Sequence, residues 1–409
     1  MKRIAILCYH SCPTADLGVR DAGGMSVYVR NLAFELASIG VETDIFSRRH
    51  DPLDPTIVEI TPGARLIHID AGPALLSGEQ LPQYLPDFYF NIQEFAHGEK
   101  RRYDLIHSHY WLSGRVGKIL SHAWKTPHVA TFHTLAEIKR MVQPKNGDLV
   151  ERSKREWSIA STADATIVSD AHEREALVSL YGVHSERIHV IPCGVDTTRF
   201  FPMARYKALQ ALGLPETPLV LFVGRLDPVK GLDLLLHIIG GMGEWQDLRL
   251  LVVGGNPEQE PEAARFWQLS QDMGLGGRVR FEGIVPHEKL TLYYNSATAL
   301  IMPSYYESFG LVALESMACG TPVVAARVGG LASIVRDWET GCLVQGHCPA
   351  PFIQRLEALL SHPELQHSMG KTARQYALRF RWDLVARRTL EVYQQLERVQ
   401  SFAQSRKTR

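Results

Sequence analysis

The sequence predicts an α/β protein whose two domains each contain a parallel sheet. Short, continuous apolar runs such as RIAILCY (residues 3–9) recur along the chain, and such runs are typical of strands buried on both faces. Helix-length or loop-length segments separate these runs, which favours repeated strand–helix–strand units. At PLVLFVGRLDP (residues 218–228) the pattern starts again. A chain of 409 residues is long enough for two or three domains, so two sheets in tandem are expected.

The first domain opens with a strand–helix–strand unit. RIAILCY precedes a glycine-containing loop, a helical pattern in VYVRNLAFELASIG (27–40) that stops at Gly40, and a second strand in VETDIFSR (41–48). This order predicts parallel strands joined by a right-handed crossover. The further strands predicted in this domain are RLIHID, DLIHSHY, HVATFH, ATIVSD and RIHVIP.

The second domain is predicted to begin near IPCGVDTTRFFP (191–202), which gives domains at 1–192 and 193–382. After PLVLFVGRLDP, its strands are predicted in LRLLVVGG, RVRFEG, ALIMPS, TPVVAA and GCLV. The chain closes with a long amphipathic helical pattern, RWDLVARRTLEVYQQLERVQ. Ligands of open parallel sheets bind beyond the carboxyl ends of the strands, so residues that follow strands deserve the closest inspection.

Composition excludes several classes of function. The chain has 44 basic and 44 acidic residues, so a general affinity for nucleic acid is not expected. Its apolar start is too short for a signal peptide, and no run approaches the roughly 20 apolar residues that span a bilayer. The six cysteines show no CxxC spacing, which indicates neither a zinc site nor a disulfide framework. A cytoplasmic protein with free thiols and no integral membrane segment is expected.

Two glutamates in PSYYESFGLVALESMACGTPVV (303–324) give the first functional hypothesis. If a helix begins near Phe309–Gly310, Glu307 lies just before it and Glu315 about one turn inside. The first N–H groups of that helix are free to bind an anion. Carboxylates beside an anion would repel it unless they accept hydrogen bonds from hydroxyls of the same ligand. A ligand with both phosphate and hydroxyls is a sugar nucleotide.

Glycines and cations follow two other predicted strands. Gly23 and Gly24 stand between a strand and a helix, where they serve either a tight turn or the close approach of backbone to a phosphate. Arg225 and Lys230 follow the first strand of the second domain, where two cations five residues apart suit a diphosphate. The alternative for both cations is an ordinary solvated surface position.

Histidines and a basic segment admit simpler explanations. His133 ends a strand and is either packed and hydrogen-bonded or functional. His107 and His109 stand two apart, but no carboxylate or third histidine nearby in sequence completes a metal site. Because no Asp-x-Asp pair is present, handling of a diphosphate without metal is expected. Most of the basic side chains between 139 and 155 are expected to be a solvated helix face, with an anionic acceptor or an acidic membrane as alternatives.

ESFGLVALESMACGTPVVA (307–325) and GRLDPVKG (224–231) resemble segments of the retaining glycosyltransferases of family 4, which have the GT-B fold. Within that family, the segments DAGGMSVYVRNLAFELASIGVETDIFSR, IHSHYWLSG and TFHTLAEIK resemble the D-inositol 3-phosphate glycosyltransferases, with the sucrose-phosphate synthases as close relatives. The resemblance covers nearly the whole chain. It implies two Rossmann-like domains facing across a cleft, with a C-terminal helix at 383–409 packing back on the first domain.

The resemblance also implies roles for particular residues. The catalytic group would be His133, Arg225, Lys230 and Glu307. The residues that bind the donor, a UDP-sugar co-substrate, would be Gly23, Gly24, Ile284, Ser308, Phe309, Gly310, Leu311 and Glu315. The residues around a phosphate of the acceptor would be Tyr110, Thr134 and Arg152. No metal and no further cofactor is implied.

The acceptor and the donor sugar stay open at this stage. Gly78 stands where the inositol-phosphate enzymes usually carry a lysine, and GGM stands where sucrose-phosphate relatives more often have GGQ. Transfer to an inositol phosphate and transfer of glucose to fructose 6-phosphate are both considered, from UDP-glucose, UDP-N-acetylglucosamine or a GDP- or ADP-sugar. A non-catalytic sugar-nucleotide sensor, an epimerase and a dinucleotide dehydrogenase are less consistent with the residues present. A homodimer is a further possibility.

Overall fold

A computed structural model describes residues 1–15, 23–142 and 148–407, with side chains as far as residue 400. The chain divides into two compact units. One holds the described residues up to Pro192 and those from Trp382 onward, and the other holds Cys193–Arg381. Every apolar run predicted as a strand contains one. Within the described ranges no helix is both long and apolar enough to cross a membrane.

The first unit is built on an eight-stranded sheet in the order β3-β4-β2-β1-β5-β6-β7-β8. The strands are β1 (Arg3–Leu7), β2 (Glu42–Arg48), β3 (Ile57–Thr61), β4 (Ala64–Ile69), β5 (Leu105–His109), β6 (His128–Thr131), β7 (Ala165–Val168) and β8 (Ile188–Val190). The strand order reverses between β1 and β5, which makes their carboxyl ends a topological switch point. The sheet is parallel, as predicted, except at one edge, where β3 pairs antiparallel with β4. The residues of this edge strand are only partly buried or exposed, so the sequence shows no continuous apolar run there.

The helices of the first unit that lie between its strands cover the sheet. They are α1 (Gly24–Ser38), α2 (Leu85–Gly98), α3 (Tyr110–Trp124), α4 (Ala136–Val142), α5 (Asp148–Ala160) and α6 (Ala171–Tyr181). Local sequence sets their ends: for α6, the Asp170 side chain accepts a hydrogen bond from the Glu173 N–H, and Gly182 closes the helix at φ 66°.

The second unit repeats the plan on a six-stranded parallel sheet in the order β11-β10-β9-β12-β13-β14. The strands are β9 (Leu219–Val223), β10 (Arg249–Val253), β11 (Val279–Gly283), β12 (Ala299–Met302), β13 (Val323–Ala326) and β14 (Gly341–Val344). The helices are α7 (Arg205–Leu212), α8 (Leu232–Gly241), α9 (Pro261–Asp272), α10 (Leu290–Ser296), α11 (Leu311–Ala318), α12 (Leu331–Ile334), α13 (Pro349–Ser361) and α14 (Pro363–Ala377). Here the order reverses between β9 and β12.

The last helix, α15 (Trp382–Lys407), belongs to the first unit. Its Tyr393 is fully buried, and the hydroxyl lies 2.6 Å from Nδ1 of His107 on β5. Glu397 forms an ion pair at 3.0 Å with the amino group of Met1. The helix thus contacts the sheet interior as well as the beginning of the chain.

Candidate active site

The second unit places its functional candidates on the two strands at its switch point. Arg225 and Lys230 follow β9, and the segment from Glu307 to Leu311 follows β12, the neighbouring strand. Parallel neighbours end at the same edge of the sheet, so these two loops meet. A backbone hydrogen bond of 2.8 Å from the Tyr305 N–H to the Val229 carbonyl joins them directly.

An ion pair between Lys230 and Glu307 lies where the two loops meet. The Lys230 ammonium donates to Oε2 of Glu307 over 2.6 Å, and both side chains are partly exposed. Within the part of the chain that the structure describes, the other carboxylate oxygen of Glu307 accepts no hydrogen bond. The pair therefore orients the lysine and leaves Glu307 one oxygen for a hydroxyl. Sequence reasoning chose both residues but did not foresee that they contact each other.

Close packing of glycine backbone holds the loop that carries Glu307. A Cβ on Gly329 would lie 2.1 Å from the Glu307 carbonyl oxygen, and one on Gly330 would lie 2.4 Å from Cα of Phe309. The Gly330 N–H also donates to the Glu307 carbonyl at 3.1 Å. Any larger side chain at 329 or 330 would push this loop away, so the glycines fix its position.

Helix α11 begins where the sequence predicted. Gly310 caps it at φ 93°, a conformation that favours glycine, and Leu311 is its first residue. The opening N–H groups of a helix have no acceptor inside it and carry the positive end of the helix dipole. The beginning of α11 can therefore bind an anion beside Glu307. Ser308, also predicted to bind the donor, has its hydroxyl 3.1 Å from that of Tyr306.

Glu315 on α11 is 5% exposed and is the centre of a hydrogen-bonded chain. His287 Nε2 lies 2.7 Å from one carboxylate oxygen, and the Tyr294 hydroxyl lies 2.7 Å from the other. Arg199 approaches Nδ1 of His287 at 3.0 Å. A guanidinium can only donate, so Nδ1 accepts and Nε2 carries the proton that His287 donates to Glu315. Sequence reasoning predicted Glu315 but missed His287, Tyr294 and Arg199.

Two predicted residues of this unit are exposed. Arg225 has no hydrogen bond or ion pair with any part of the chain that the structure describes, so its guanidinium is available to a ligand. Ile284 follows β11 and is 41% exposed. Its position beyond a strand end suits contact with a base, as the resemblance implied.

In the first unit, the candidates follow β1, β5 and β6, which are adjacent at that sheet's switch point. Gly23 caps α1 and Gly24 is its first residue. A Cβ on Gly23 would meet nothing within 4 Å, and its φ of −162° is open to any residue. Neither packing nor backbone conformation requires glycine at 23, which leaves room for the phosphate hypothesis.

His109 and His133 form a hydrogen-bonded pair at the ends of β5 and β6. His109 Nδ1 and His133 Nε2 are 2.9 Å apart, and their rings are stacked with centroids 5.1 Å apart. His107 packs on His109 with ring centroids 4.1 Å apart. Strand β6 brings a third histidine, His133, beside His107 and His109, a proximity that the sequence did not reveal. Even so, the described residues contain no group of three or more His, Cys, Asp or Glu that could hold a metal ion.

The predicted acceptor residues Tyr110, Thr134 and Arg152 lie together. The Arg152 guanidinium donates to the Tyr110 hydroxyl at 3.1 Å and to the Thr134 hydroxyl at 2.7 Å, and it lies 4.7 Å from the centre of the Tyr110 ring. Arg152 is only 7% exposed, and it forms a 2.6 Å ion pair with the fully buried Glu156. Thr134 is next to His133 in the chain. The cluster therefore adjoins the histidine pair.

Burial also changes the interpretation of the basic segment around α5. Arg152 is not on the solvated face predicted for most of these side chains. Arg155 and Lys154 are exposed and lie near Glu151, at 2.6 and 3.8 Å, as a solvated face requires. Lys145 lies outside the described residues.

Sequence reasoning missed His10. It follows β1, and its ring lies 4.2 Å from that of Tyr110. Its buried Nδ1 has no hydrogen-bond partner among the described residues. Burial, with Arg152 and His133 close by, lowers the pKa of His10 to about 3, so the ring is neutral. Its place directly after the buried strand β1 could have marked His10 as a candidate functional residue.

This chain is similar to known proteins over both of its units. The family described as Glycosyltransferase Family 4 matches residues 22–199, and that described as Glycosyl transferases group 1 matches residues 207–376. The D-inositol 3-phosphate glycosyltransferase of Acidothermus cellulolyticus is 40% identical over 404 residues, 96% of this chain and 90% of the relative. That of Corynebacterium diphtheriae is 40% identical over 402 residues, 96% of this chain and 94% of the relative.

Among solved structures, the sucrose-phosphate synthase from Thermosynechococcus elongatus superposes with a TM-score of 0.90. It is 36% identical, and the match covers 97% of this chain and 99% of that one. Two α/β units on parallel sheets, together with these matches, identify a glycosyltransferase of the GT-B fold. This chain belongs to glycosyltransferase family 4.

Proposed function

We propose that this enzyme transfers a hexosyl group, glucose or N-acetylglucosamine, from a UDP-sugar to a small hydroxylated acceptor that carries a phosphate. An inositol phosphate is the first candidate for the acceptor, and the anomeric configuration is retained. The observation that carries this proposal is the cluster of Arg152, Tyr110 and Thr134, which groups a guanidinium and two hydroxyls directly beside His133. The two curated relatives, both named for inositol 3-phosphate, support the same acceptor.

The donor side of the proposal rests on the second unit. Glu307 and Glu315 would accept hydrogen bonds from hydroxyls of the sugar and of the ribose. The beginning of α11 would hold the diphosphate, and Ile284 would contact the base. Lys230 and Arg225 would balance the charge that grows on the diphosphate as it leaves.

The proposed reaction breaks the bond between the anomeric carbon and the diphosphate oxygen. The acceptor hydroxyl attacks the same face of the sugar, and its proton passes to the departing phosphate oxygen. Stabilising the leaving group is then the main catalytic task, and two cations with a helix beginning supply it without a metal. No side chain is required to form a covalent sugar intermediate.

A second candidate is transfer of glucose to fructose 6-phosphate. The observation in its favour is the match to the sucrose-phosphate synthase, at 36% identity over nearly the full length of both chains. Gly78 is also relevant, because this exposed position offers no cation to an inositol phosphate. Both candidates share a phosphorylated acceptor and differ in its ring.

The test is a panel of donors and acceptors in which released nucleotide and product mass are both measured. Donors are UDP-glucose, UDP-N-acetylglucosamine and the GDP and ADP sugars. Acceptors are inositol 3-phosphate, fructose 6-phosphate and their unphosphorylated forms. We expect UDP release that depends on one phosphorylated acceptor, an unchanged rate in EDTA, and an α-linked product from the α-linked donor by proton NMR.

A Tyr110→Phe variant is the matched probe of the acceptor cluster, since it removes one hydroxyl and keeps the ring beside Arg152. We expect its KM for the phosphorylated acceptor to rise about tenfold, as for loss of one hydrogen bond to a charged group. Its KM for the donor should stay the same. Equal turnover with unphosphorylated acceptors would contradict the phosphate role, and binding without turnover on any pair would favour a sensor.

A further inference from the structure

We infer that His109 is a positioning residue that holds His133 in one neutral form, with a hydrogen on Nδ1 that it donates to the bound nucleotide sugar. The inference rests on the proposed function for the place of His133 beside the donor. It assigns to His133 the role of hydrogen-bond donor and excludes the role of general base.

The two histidines differ in exposure, as expected if His109 only positions His133 and His133 contacts the ligand. His109 is fully buried at the end of β5, whereas His133 is partly exposed just beyond β6. The backbone of His133 is held at φ 60°, in the left-handed region that non-glycine residues seldom adopt. Such conformations persist only where the surroundings impose them, and they are frequent at functional sites. His109 thus supports His133 from the interior.

The identity of the donor in the 2.9 Å contact follows from the remaining nitrogen of His109. Its Nε2 is buried and has no hydrogen-bond partner among the described residues. If His133 donated, His109 would carry its own hydrogen on Nε2, and a buried N–H would be left without an acceptor. Orphaned buried N–H groups are rarer than unsatisfied acceptors. His109 therefore carries its hydrogen on Nδ1 and donates to Nε2 of His133.

Neutral imidazole has one hydrogen, so His133 with an accepting Nε2 carries its hydrogen on Nδ1. The groups that face the pair do not disturb this state. They are His107, which packs on His109, and Tyr28, whose ring lies 5.5 Å from that of His109 and 5.3 Å from that of His133. His10 also lies near His133, and burial lowers its pKa to about 3, so it is neutral as well. Burial lowers the pKa of His133 to about 3, and burial with His107 lowers that of His109 well below its usual range. Both rings are neutral at physiological pH.

A neutral ring whose Nδ1 carries a hydrogen and whose Nε2 already accepts from His109 cannot remove a proton from the acceptor hydroxyl. It can donate a hydrogen bond to an oxygen of the sugar or of the diphosphate. The acceptor proton must then go to the departing phosphate oxygen. The histidine pair thus provides a structural reason for the proton route of the proposed mechanism.

The direct test is long-range proton–nitrogen NMR of the protein labelled with ¹⁵N-histidine, with His133 assigned by its absence in His133→Asn. We expect a pyrrole-like Nδ1 and a pyridine-like Nε2 at His133 from pH 6 to 8. A pyrrole-like Nε2, or a ring that becomes charged in this range, would overturn the inference. This readout needs no turnover, so it remains decisive even if the proposed transfer reaction is not observed.

Kinetics test the positioning role. His109→Asn keeps an N–H donor at the place of Nδ1 and should keep kcat within about threefold, whereas His109→Leu should lower kcat roughly tenfold or more. In His109→Leu the kcat profile should also acquire an acidic limb, because His133 loses its donor and becomes easier to protonate. The matched control is His128→Leu, which removes another buried histidine, bonded to Ser108 at 2.7 Å.

The control separates positioning from simple destabilisation. His128→Leu should lower the melting temperature as much as His109→Leu while leaving kcat and its pH profile unchanged. For His133, the Asn variant retains a donor at the place of Nδ1 and should keep most of kcat. Equal loss in His133→Asn and His133→Leu would indicate a base, and equal kcat in both His109 variants would remove the positioning role.

Discussion

At the scale of single residues, we expect the Lys230–Glu307 pair to contribute more to activity than to stability. Both side chains are partly exposed, and pairs of that kind contribute about 0–1 kcal/mol to folding. A cation on a leaving diphosphate contributes more, because charge develops there in the transition state. We predict that Lys230→Met lowers kcat on the order of 100-fold and shifts the unfolding free energy by less than about 1 kcal/mol. Steady-state kinetics and urea unfolding check both, with the exposed Lys371→Met on α14 as a control outside the site.

The second prediction at this scale concerns His287, whose N–H fixes the carboxylate of Glu315, the residue proposed to bind the ribose. His287→Ala removes the N–H that Glu315 accepts, so the carboxylate is free to turn. We predict that the Kd for UDP rises roughly tenfold, about 1.4 kcal/mol. His287→Gln, which offers an amide N–H near the place of Nε2, should restore most of the affinity. Calorimetric titration with UDP measures this, and unchanged binding in His287→Ala would contradict a role for Glu315.

Cys12 gives a prediction about reactivity. It is 9% exposed, and its sulfur lies 3.5 Å from Nε2 of His68, whose Nδ1 lies 2.6 Å from the Pro55 carbonyl. A carbonyl can only accept, so Nδ1 is protonated and Nε2 can take the thiol proton. Burial raises the pKa of the Cys12 thiol, but the hydrogen bonds with His68 and Thr14 outweigh burial and lower it.

Thiolate is the reactive form, so iodoacetamide at pH 7 should alkylate Cys12 well before Cys8. Burial raises the pKa of Cys8 far above its usual range. Peptide mass spectrometry would measure the two rates. His68→Phe should slow the alkylation of Cys12 and leave that of Cys8 as it was. Equal rates for the two thiols in the unmodified chain would show that the His68 contact does not activate Cys12.

At the scale of elements, the sequence predicted the strands well and their neighbours less well. Apolar runs identified the buried parallel strands, and motifs that follow strands gave Glu307, Arg225 and His133 as candidates. The edge strand β3 was missed because its residues are only partly buried or exposed. The pairing of His109 with His133 was missed for another reason: it depends on which strands lie side by side, and a single sequence does not carry that information locally. The same holds for the burial of Arg152 against Glu156.

The terminal helix α15 allows a test at this scale. Its Tyr393 hydroxyl bonds to His107, which is fully buried beneath the histidine pair. Tyr393→Phe leaves that imidazole nitrogen unsatisfied, so we predict a loss of about 1–3 kcal/mol in unfolding free energy. Gln400→Ala, which removes an exposed contact of the same helix with the Lys125 carbonyl, should cost less than about 0.5 kcal/mol. Urea unfolding compares the two variants, and equal losses in unfolding free energy would show that the buried Tyr393–His107 bond contributes no more than the exposed contact.

At the scale of the whole molecule, the two units place their candidate residues in the same way, after strands near the switch point of a parallel sheet. Each sheet has a switch point, between β1 and β5 in the first unit and between β9 and β12 in the second, and most of the candidate residues follow these strands or the neighbouring β6. The two units differ in the side chains that lie near their switch points. The second supplies cations, carboxylates and a helix beginning, whereas the first supplies neutral histidines and an arginine already paired with Glu156. A charged diphosphate would suit the second set, and the first set would suit the hydroxylated, phosphorylated acceptor proposed above.

The buried histidines also predict how the folded protein responds to acid. Burial lowers the pKa of His10, His128 and His133 to about 3, with nearby cations contributing for His10 and His128. In the unfolded chain each would titrate near its ordinary value of about 6.5. Between these values the unfolded state binds more protons than the folded state, so stability falls as pH falls.

The expected size follows from proton counting. Each such histidine contributes about 1.4 kcal/mol per pH unit once the pH is well below 6.5, so three together contribute roughly 4 kcal/mol per unit near pH 5. His107 and His109, whose pKa values burial also lowers well below the ordinary value, add to this loss. Glu173 opposes this by one proton, since burial raises its pKa to about 7 and its protonated form is favoured in the folded state. Urea unfolding at pH 7, 6 and 5 should therefore show a steep loss of stability below pH 6. His128→Gln should make that loss shallower by about one proton, and an unchanged slope would mean that His128 is charged in the folded protein.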